Sequence, residues 1–314
     1  MIEILSLTIP FFTIILLGSI ARLGGWFSEE SGQMLARFAF FVVLPPFMFI
    51  AITAIDVTSV FNIGFVLRYE LATIIMFILS AVTVRLLGGL SATEKGLFCL
   101  NTAYPNYGYI GVPLAILAFG EQAAIPVSLV LVFDTIVLLV MTTIMSHDAR
   151  SGRLREALQR TALAMAKNPL LMSVLVGFGF SASGFSLPEM PHRLLEMLAG
   201  AAAPAALFAL GITLVGQPIR AAIAEISMIT CLKLIVHPVL VALLFLSWPA
   251  SDPIDPMWIK VAILFACLPI AANVFAMSQF YGAYQGRTAT TIMLTTILAS
   301  ITVPVTLYVI THFI

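Results

Sequence analysis

Charged residues are scarce in this 314-residue chain. Only 10% of the residues are Asp, Glu, Lys or Arg, whereas 61% are hydrophobic and the mean hydropathy is +1.09. Soluble domains are about 25% charged and about 45–50% apolar, so this chain has too little polar surface to cover two water-exposed domains. The composition therefore excludes a soluble globular protein and predicts one that is embedded in a lipid bilayer.

Net charge, ligand clusters and enzyme motifs are also missing. Fifteen cationic and fifteen anionic residues cancel, which removes the basic excess that nucleic-acid binding requires. The three cysteines and four histidines are scattered, so we expect no disulfide framework, no metal site and no cofactor. The sequence contains no HExxH, GxSxG, P-loop or Rossmann pattern, and we therefore expect the protein not to be an enzyme.

Long apolar stretches are what the chain has instead. A membrane-spanning helix needs about 20 mostly apolar residues. Seven stretches without a charge, and three more that carry a charge, are long enough, which predicts an all-α polytopic membrane protein with ten transmembrane helices. The predicted spans are 4–21, 38–55, 66–89, 96–120, 122–146, 168–188, 197–219, 226–247, 261–286 and 288–314.

Lys and Arg are unevenly divided between the connecting segments. Ten lie in loops on one side of the predicted membrane and three in loops on the other. Cytoplasmic loops carry the excess of Lys and Arg, so we expect a cell-membrane protein with both termini on the non-cytoplasmic side and a cytoplasmic linker at 147–167. This basic linker fits an ordinary topology signal and also fits binding to anionic lipid.

The two halves of the chain match each other at a shift of 159 residues. Because each half holds five predicted helices, the second copy enters the membrane upside down, an arrangement typical of transporters. We therefore predict two inverted five-helix repeats, 1–146 and 168–314, with chance similarity of apolar segments as the alternative. The matched pairs are Pro10 with Pro169, Gly18 with Gly177, Pro45 with Pro204, and Phe49 with Phe208.

The fourth and ninth predicted spans contain helix-breaking residues at matching depth, Pro105 and Asn106 in one and Pro269 and Asn273 in the other. Proline removes a backbone donor, and unwound backbone is tolerated at that depth only inside protein or along a water-filled cavity. The freed helix ends and the Asn amides suit an anion. The competing explanation is a pair of proline kinks packed by small residues.

The segment NTAYPNYGYIGVPL in the fourth span, with Pro45 and Pro46 in the second, resembles the auxin efflux carrier family, which includes plant PIN-type carriers and bacterial malonate transporters. The resemblance implies a scaffold domain of spans 1, 2, 6 and 7 and a transport domain of spans 3–5 and 8–10. It also implies an elevator-type carrier that forms a homodimer and binds substrate where spans 4 and 9 cross. The fold is similar to that of bile-acid sodium symporters, which leaves sodium coupling open.

Candidate functional residues therefore concentrate at the crossing and at the prolines and phenylalanines of the scaffold. The expected substrate-binding residues are Asn101, Tyr104, Pro105, Asn106, Tyr107, Gly108, Pro269, Asn273 and Val274. The expected scaffold or hinge residues are Pro45, Pro46, Phe49, Pro204 and Phe208.

Three ionisable residues, Asp134, Lys233 and His237, lie deepest in the predicted spans. Such groups are costly in a bilayer unless they are paired or face water. We expect them to take part in proton coupling, with a structural ion pair between Asp134 and Lys233 as the alternative. Arg68 and Glu70 lie near a predicted helix end, where we expect their side chains to reach the interface.

Another expected surface is the small-residue run LAGAAAPAALFALG in span seven, which we interpret as a sliding or dimer surface. Two classes of function follow from the whole pattern. The first is a secondary transporter that moves a small mono- or dicarboxylate by alternating access, held by Asn106, Asn273, nearby backbone N–H groups and the hydroxyl of Tyr104 or Tyr107. The second is a channel or receptor on the same fold.

Overall fold

A computed structural model describes residues 2–54, 62–146, 154–216, 223–247 and 254–314, and the regular structure of these residues is helical. The first part of the predicted linker, 147–153, lies outside them. The helices are α1 (Ile2–Leu23), α2 (Glu29–Thr53), α3 (Ile63–Leu87), α4 (Ala92–Ala103), α5 (Tyr107–Phe119), α6 (Glu121–Ser146), α7 (Leu154–Ala166), α8 (Pro169–Ala182), α9 (Glu189–Leu214), α10 (Ile223–Ser247), α11 (Pro256–Cys267), α12 (Ala272–Phe280) and α13 (Gln285–Phe313).

Seven helices in the described part of the chain are long and apolar enough to cross a membrane, namely α1, α2, α3, α6, α9, α10 and α13. The bent pair α7 and α8 makes eight if it is counted as one span. The chain is therefore an all-helical polytopic membrane protein, as predicted. The fourth predicted span is divided into α4 and α5 and the ninth into α11 and α12, so the count of ten spans and their inverted repeat stay predictions.

Three of these helices contain a wide, π-helical turn that ends two residues before a proline. A proline ring collides with the carbonyl four residues earlier and offers no N–H group. A π-helical turn redirects that carbonyl while the helix continues. The turns are Ala39–Val43 before Pro45, Tyr107–Gly111 before Pro113, and Leu232–Val236 before Pro238.

The chain divides into two compact units, each of which gathers segments that are distant in the sequence. Unit 1 consists of Met1–Ile63, Tyr107–Val132 and Lys167–Gly216, and thus holds α1, α2, α5, α8, α9 and the start of α6. Unit 2 consists of Gly64–Asn106, Phe133–Ala166 and Gln217–Ile314, and holds the remaining helices and the rest of α6. The second half of predicted span four therefore belongs to unit 1, because the chain changes units immediately after Asn106.

Close backbone contact between α1 and α9 forms the tightest joint in unit 1. Gly18 and Gly211 face each other there, and a Cβ atom on either residue would collide with backbone of the opposite helix. The Ser19 hydroxyl also donates a hydrogen bond of 2.9 Å to the Gly211 carbonyl. This part of the small-residue run packs inside unit 1, so our expectation of a sliding or dimer surface is wrong for this face of α9. Small residues serve here to let two backbones touch.

A second joint in unit 1 connects α8 with α2, where Gly177 packs against the Ile52 side chain. The two joints are related by the same shift of 159 residues, because Gly18 corresponds to Gly177 and Ile52 corresponds to Gly211. The expected scaffold residues all lie in this unit. The Phe49 ring packs against Phe180 at 5.6 Å and the Phe208 ring against Phe27 at 5.4 Å, while Pro45 and Pro46 lie in α2 and Pro204 in α9.

An ion network in unit 2 joins the first turns of α4, α10 and α13. Arg287 lies 3.4 Å from a Glu225 oxygen and 3.6 Å from a Glu94 oxygen. The Tyr284 hydroxyl donates a hydrogen bond of 2.7 Å to Glu225. Tyr284 has a φ of 62°, a backbone angle that residues other than glycine seldom adopt. This network fixes the ends of three helices, one of which, α4, leads to the site described next.

Candidate substrate site

The chain crosses itself in unit 2, where the break after α4 meets the break after α11. Pro105 lies opposite Ile270 as an isolated antiparallel pair. The Asn106 N–H donates to the Pro269 carbonyl at 2.8 Å, and the Ala271 N–H donates to the Tyr104 carbonyl at 3.1 Å. We call the residues 104–106 and 268–271 the crossing.

Proline chemistry explains why both helices end where they do. A residue that precedes proline is pushed out of helical geometry into an extended one by the proline ring. Tyr104, before Pro105, has ψ of 103°, and Leu268, before Pro269, has ψ of 151°. Each helix therefore ends two residues before its proline, and the extended backbone that results can pair across the crossing.

The two halves of the site differ in exposure. Asn106 is only 3% exposed, whereas Asn273 lies exposed in the first turn of α12. The Tyr104 hydroxyl is hydrogen-bonded to the Asn273 side chain and lies 3.5 Å from the Thr135 hydroxyl. Val274 is buried beside Asn273. The structure thus joins the break that holds Tyr104 and Asn106 to the break that precedes α12, the helix that carries Asn273.

Backbone donors in the crossing are largely used by the crossing itself, because the N–H groups of Asn106 and Ala271 bond across it. The start of α12 is different. Ala271, its N-terminal flanking residue, has no side-chain cap, and the first N–H groups of a helix have no acceptor within the helix. The backbone N–H groups of Ala272 and Asn273 lie in this first turn, where the positive end of the helix dipole also lies.

Three expected binding residues lie in other surroundings. Asn101 belongs to α4, and its amide bonds to α13. Tyr107 and Gly108 begin α5 in unit 1, where a Cβ atom on Gly108 would touch the side chains of Leu44 and Leu170. The sequence could not separate these residues from the crossing, because they are contiguous with Pro105 and Asn106 along the chain.

Lys233 belongs to the π-helical turn of α10, and its fully buried side chain reaches the C-terminal end of α11. Its ammonium group donates hydrogen bonds of 3.0 Å to the Ala266 carbonyl and 3.0 Å to His237 Nδ1. The last carbonyls of a helix lack partners within the helix and form the negative end of its dipole. Lys233 therefore neutralises the end of the broken helix that leads into Pro269.

Asp134 accepts a hydrogen bond from the Thr73 hydroxyl of α3, and the charges of Lys233 and Glu70 also act on it. Glu70 lies on the same face of α3 as Thr73, three residues away. Both of its carboxylate oxygens are buried, and no hydrogen-bond partner for them is found among the described residues.

Arg68 and Glu70 are each only 8% exposed, so our expectation that both side chains reach the interface is wrong. Both side chains lie on the part of α3 that packs inside the protein. Within the described ranges, no three His, Cys, Asp or Glu side chains are grouped closely enough to hold a metal ion.

Known proteins resemble this chain over most of its length. Residues 4–307 match the family described as Membrane transport protein. The chain is 35% identical over 313 residues to a Rhizobium meliloti (strain 1021) protein named "Putative malonate transporter", a match that covers 99% of this chain and 97% of that protein. It is 24% identical over 243 residues to an "Uncharacterized transporter" of Methanothermobacter thermautotrophicus, covering 73% and 74% of the two chains.

Proposed function

Because this chain belongs to the Membrane transport protein family, we propose that it is a secondary transporter that moves a small mono- or dicarboxylate, such as malonate, across the cell membrane. The family confirms the resemblance predicted from the sequence, and it confirms that the protein is a membrane transporter and not an enzyme. The substrate class rests on the site, and the name of the Rhizobium meliloti relative agrees with it.

The observation that carries the proposal is the charge arrangement around the crossing. The buried Lys233 ammonium lies at the end of α11, and the positive N-terminal end of α12 follows a few residues later. A buried cation and free helical N–H groups favour an anion. The Asn273 amide and the Tyr104 hydroxyl add donors that fix the orientation of a carboxylate.

For the mechanism, we assign unit 1 to the scaffold and unit 2 to the moving transport domain of an elevator-type carrier. Two observations support this assignment. Both broken helix ends pair inside unit 2, so this unit carries the crossing as one body. The joints at Gly18 with Gly211 and at Gly177 with Ile52 occupy positions related by the repeat shift, as expected for inverted repeats. Dimerisation through unit 1 and external termini belong to the same proposal.

Substituting the Asn side chains of the crossing tests the site. We expect Asn273→Ala and Asn106→Ala each to raise the KM for [14C]malonate uptake into proteoliposomes about tenfold, because a hydrogen bond to a charged group contributes about 1.5–3 kcal/mol. Gln279→Ala is the matched control, because it removes another exposed amide from α12. Unchanged KM values in both Asn variants would remove these residues from the substrate site.

The same proteoliposomes separate a carrier from a channel. A carrier should show uptake that saturates with malonate concentration and that is accelerated by unlabelled malonate inside the vesicles. Flux that never saturates, together with single-channel currents, would favour a channel on the same fold. If no malonate is taken up, a thermal-shift screen against a panel of carboxylates identifies the ligand, because binding stabilises the folded protein by mass action.

For the coupling ion, we propose protons, with Asp134 as the principal coupling group and Tyr69, Glu70 and Lys233 as its charged or titratable neighbours. Asp134→Asn is expected to flatten the pH dependence of malonate uptake and to lower its maximal rate at least about fivefold, because an ionisable group inside a membrane is retained for such a role. Initial rates over a pH series measure both quantities.

Asp255→Asn provides the matched control for this experiment. Asp255 caps α11 through a hydrogen bond to the Met257 N–H, and Asn caps helices as well as Asp does, so we expect a normal pH profile. Wild-type uptake that is flat with pH but rises steeply with sodium would eliminate proton coupling and support the bile-acid type of symport.

A further inference from the structure

Three threonines, Thr288, Thr291 and Thr295, follow one face of α13 and are fully buried. Their spacing of three and four residues places them above one another on the helix. We call them the threonine face. A buried hydroxyl inside a membrane protein must find hydrogen-bond partners, and these hydroxyls find them in two elements besides their own helix.

Thr288 and Thr291 of the threonine face hold α4 through Asn101. The Asn101 amide nitrogen donates to the Thr288 hydroxyl at 3.0 Å and to the Leu97 carbonyl at 2.8 Å. The Thr291 hydroxyl donates to the Asn101 amide oxygen at 3.1 Å. These bonds use the polar atoms of the amide, so Asn101 anchors α4 three residues before Tyr104.

Thr295 of the threonine face holds the second strand of the crossing, residues 268–271. Pro105 and Ile270 lie opposite each other, but the hydrogen bonds between the two strands are made by their neighbours in the sequence. The Ile270 N–H therefore points away from Pro105. It donates to the Thr295 hydroxyl at 3.3 Å. The Ile270 N–H is thus satisfied by α13, whereas the N–H groups of Tyr104 and Leu268 bond to carbonyls of the helices that precede them.

We propose that the threonine face is a positioning device, and that Thr295 and Asn101 are positioning residues that hold the two strands of the crossing in register from one helix. The effect of this device on malonate transport rests on the proposed function, whereas its effect on the backbone hydrogen bonds of the crossing does not. When the Thr295 hydroxyl is lost, the Ile270 N–H becomes a buried donor without a partner. The crossing then loosens, and the N-terminal end of α12 that follows it is misplaced.

Thr295→Val tests the proposal, because it keeps the branched shape of the side chain and removes the hydroxyl. Thr295→Ser is the rescue variant, because it restores the hydroxyl. Thr296→Val is the matched control. Thr296 is the next residue on the same helix and is equally buried, but its hydroxyl donates to the Ile292 carbonyl of its own helix.

The first measurement is hydrogen exchange by mass spectrometry on the full-length protein in lipid nanodiscs without substrate. In Thr295→Val, the peptide that contains Ile270 should exchange about tenfold faster than in the wild type, which is the effect expected for one lost hydrogen bond. Thr295→Ser and Thr296→Val should exchange at the wild-type rate. Equal exchange in Thr295→Val and Thr296→Val would overturn the proposal.

The second measurement is malonate uptake by the same four proteins. A misplaced binding end should raise KM about fivefold in Thr295→Val while the maximal rate changes less than about twofold, because positioning errors weaken binding of the carboxylate. A general loss of folding would instead lower the maximal rate at constant KM. A higher KM in Thr296→Val than in Thr295→Val would also contradict the assignment.

The two measurements fail separately. If none of the proteins transports malonate while the exchange difference is present, the proposed substrate is wrong and the positioning role stands. If the wild type transports malonate while Thr295→Val matches it in exchange and in KM, the carrier function stands and the threonine face has no positioning role.

Discussion

Replacing Lys233 with Met is expected to lower malonate uptake about 100-fold, since a hydrogen bond that involves a charged group contributes about 1.5–3 kcal/mol. Two effects combine. The Ala266 carbonyl loses its hydrogen-bond partner, and the negative end of α11 is no longer neutralised. The anion would then meet a partial negative charge where the wild type presents an ammonium group. Initial rates of [14C]malonate uptake, normalised to reconstituted protein, measure the loss.

Lys260→Met is the matched control for Lys233→Met, because Lys260 lies in α11 itself but is not fully buried. We expect that variant to keep wild-type uptake. Size-exclusion profiles and melting temperatures of both variants distinguish a lost charge from a lost fold. A correctly folded Lys233→Met protein with normal KM and rate would show that the ammonium group has no part in anion transport.

The Gly211→Ala variant is expected to lose about 3 kcal/mol of stability, the upper end of ordinary overpacking, and about 5 °C in melting temperature. The added methyl group would collide with the Ile15 carbonyl and its neighbours, which are backbone atoms and cannot rotate away. The helices α1 and α9 must therefore separate, and the Ser19 hydrogen bond to Gly211 must lengthen or break. Melting followed by size exclusion in detergent measures the change.

Gly200→Ala provides the opposite expectation on the same helix. A Cβ atom at Gly200 would meet nothing within 4 Å, and Ala is about 1 kcal/mol better than Gly inside a helix. The melting temperature should therefore stay constant or rise. If Gly211→Ala and Gly200→Ala melt alike, the tight joint between α1 and α9 is not a determinant of stability.

Helix positions were largely predictable from the sequence because the signal is local. Charge-free stretches of membrane length coincide with α1 and α13 and overlap α9, and the prolines at 105 and 269 mark the two breaks. The pairing at the crossing was less predictable. The sequence pattern placed Asn106 and Asn273 at matching depth, whereas the backbone pairs Pro105 with Ile270, because Pro269 ends its helix four residues before Asn273.

Partners of buried polar groups could not be predicted, because they depend on contacts between distant segments. The sequence singled out Lys233 by its charge. The group that accepts its hydrogen bond is the main-chain carbonyl of Ala266, and no pattern of side chains predicts that partner. Asn101 looked like a ligand because it lies near Pro105, and only the contact with α13 shows its actual neighbours. The exposure of Arg68 and Glu70 was wrongly predicted for the same reason, because their burial depends on what packs against α3.

The π-helical turn before Pro238 has a consequence for the angular phase of α10. Each such turn accommodates one residue more than an α-helical turn, so the faces of the helix on either side of it are rotated relative to an uninterrupted α-helix by about one residue, or roughly 100°. The residues that face a given direction therefore follow one helical repeat before Leu232 and a rotated one after Val236. Aligning relatives through this turn as if the helix were regular would assign the wrong lining to one half of α10.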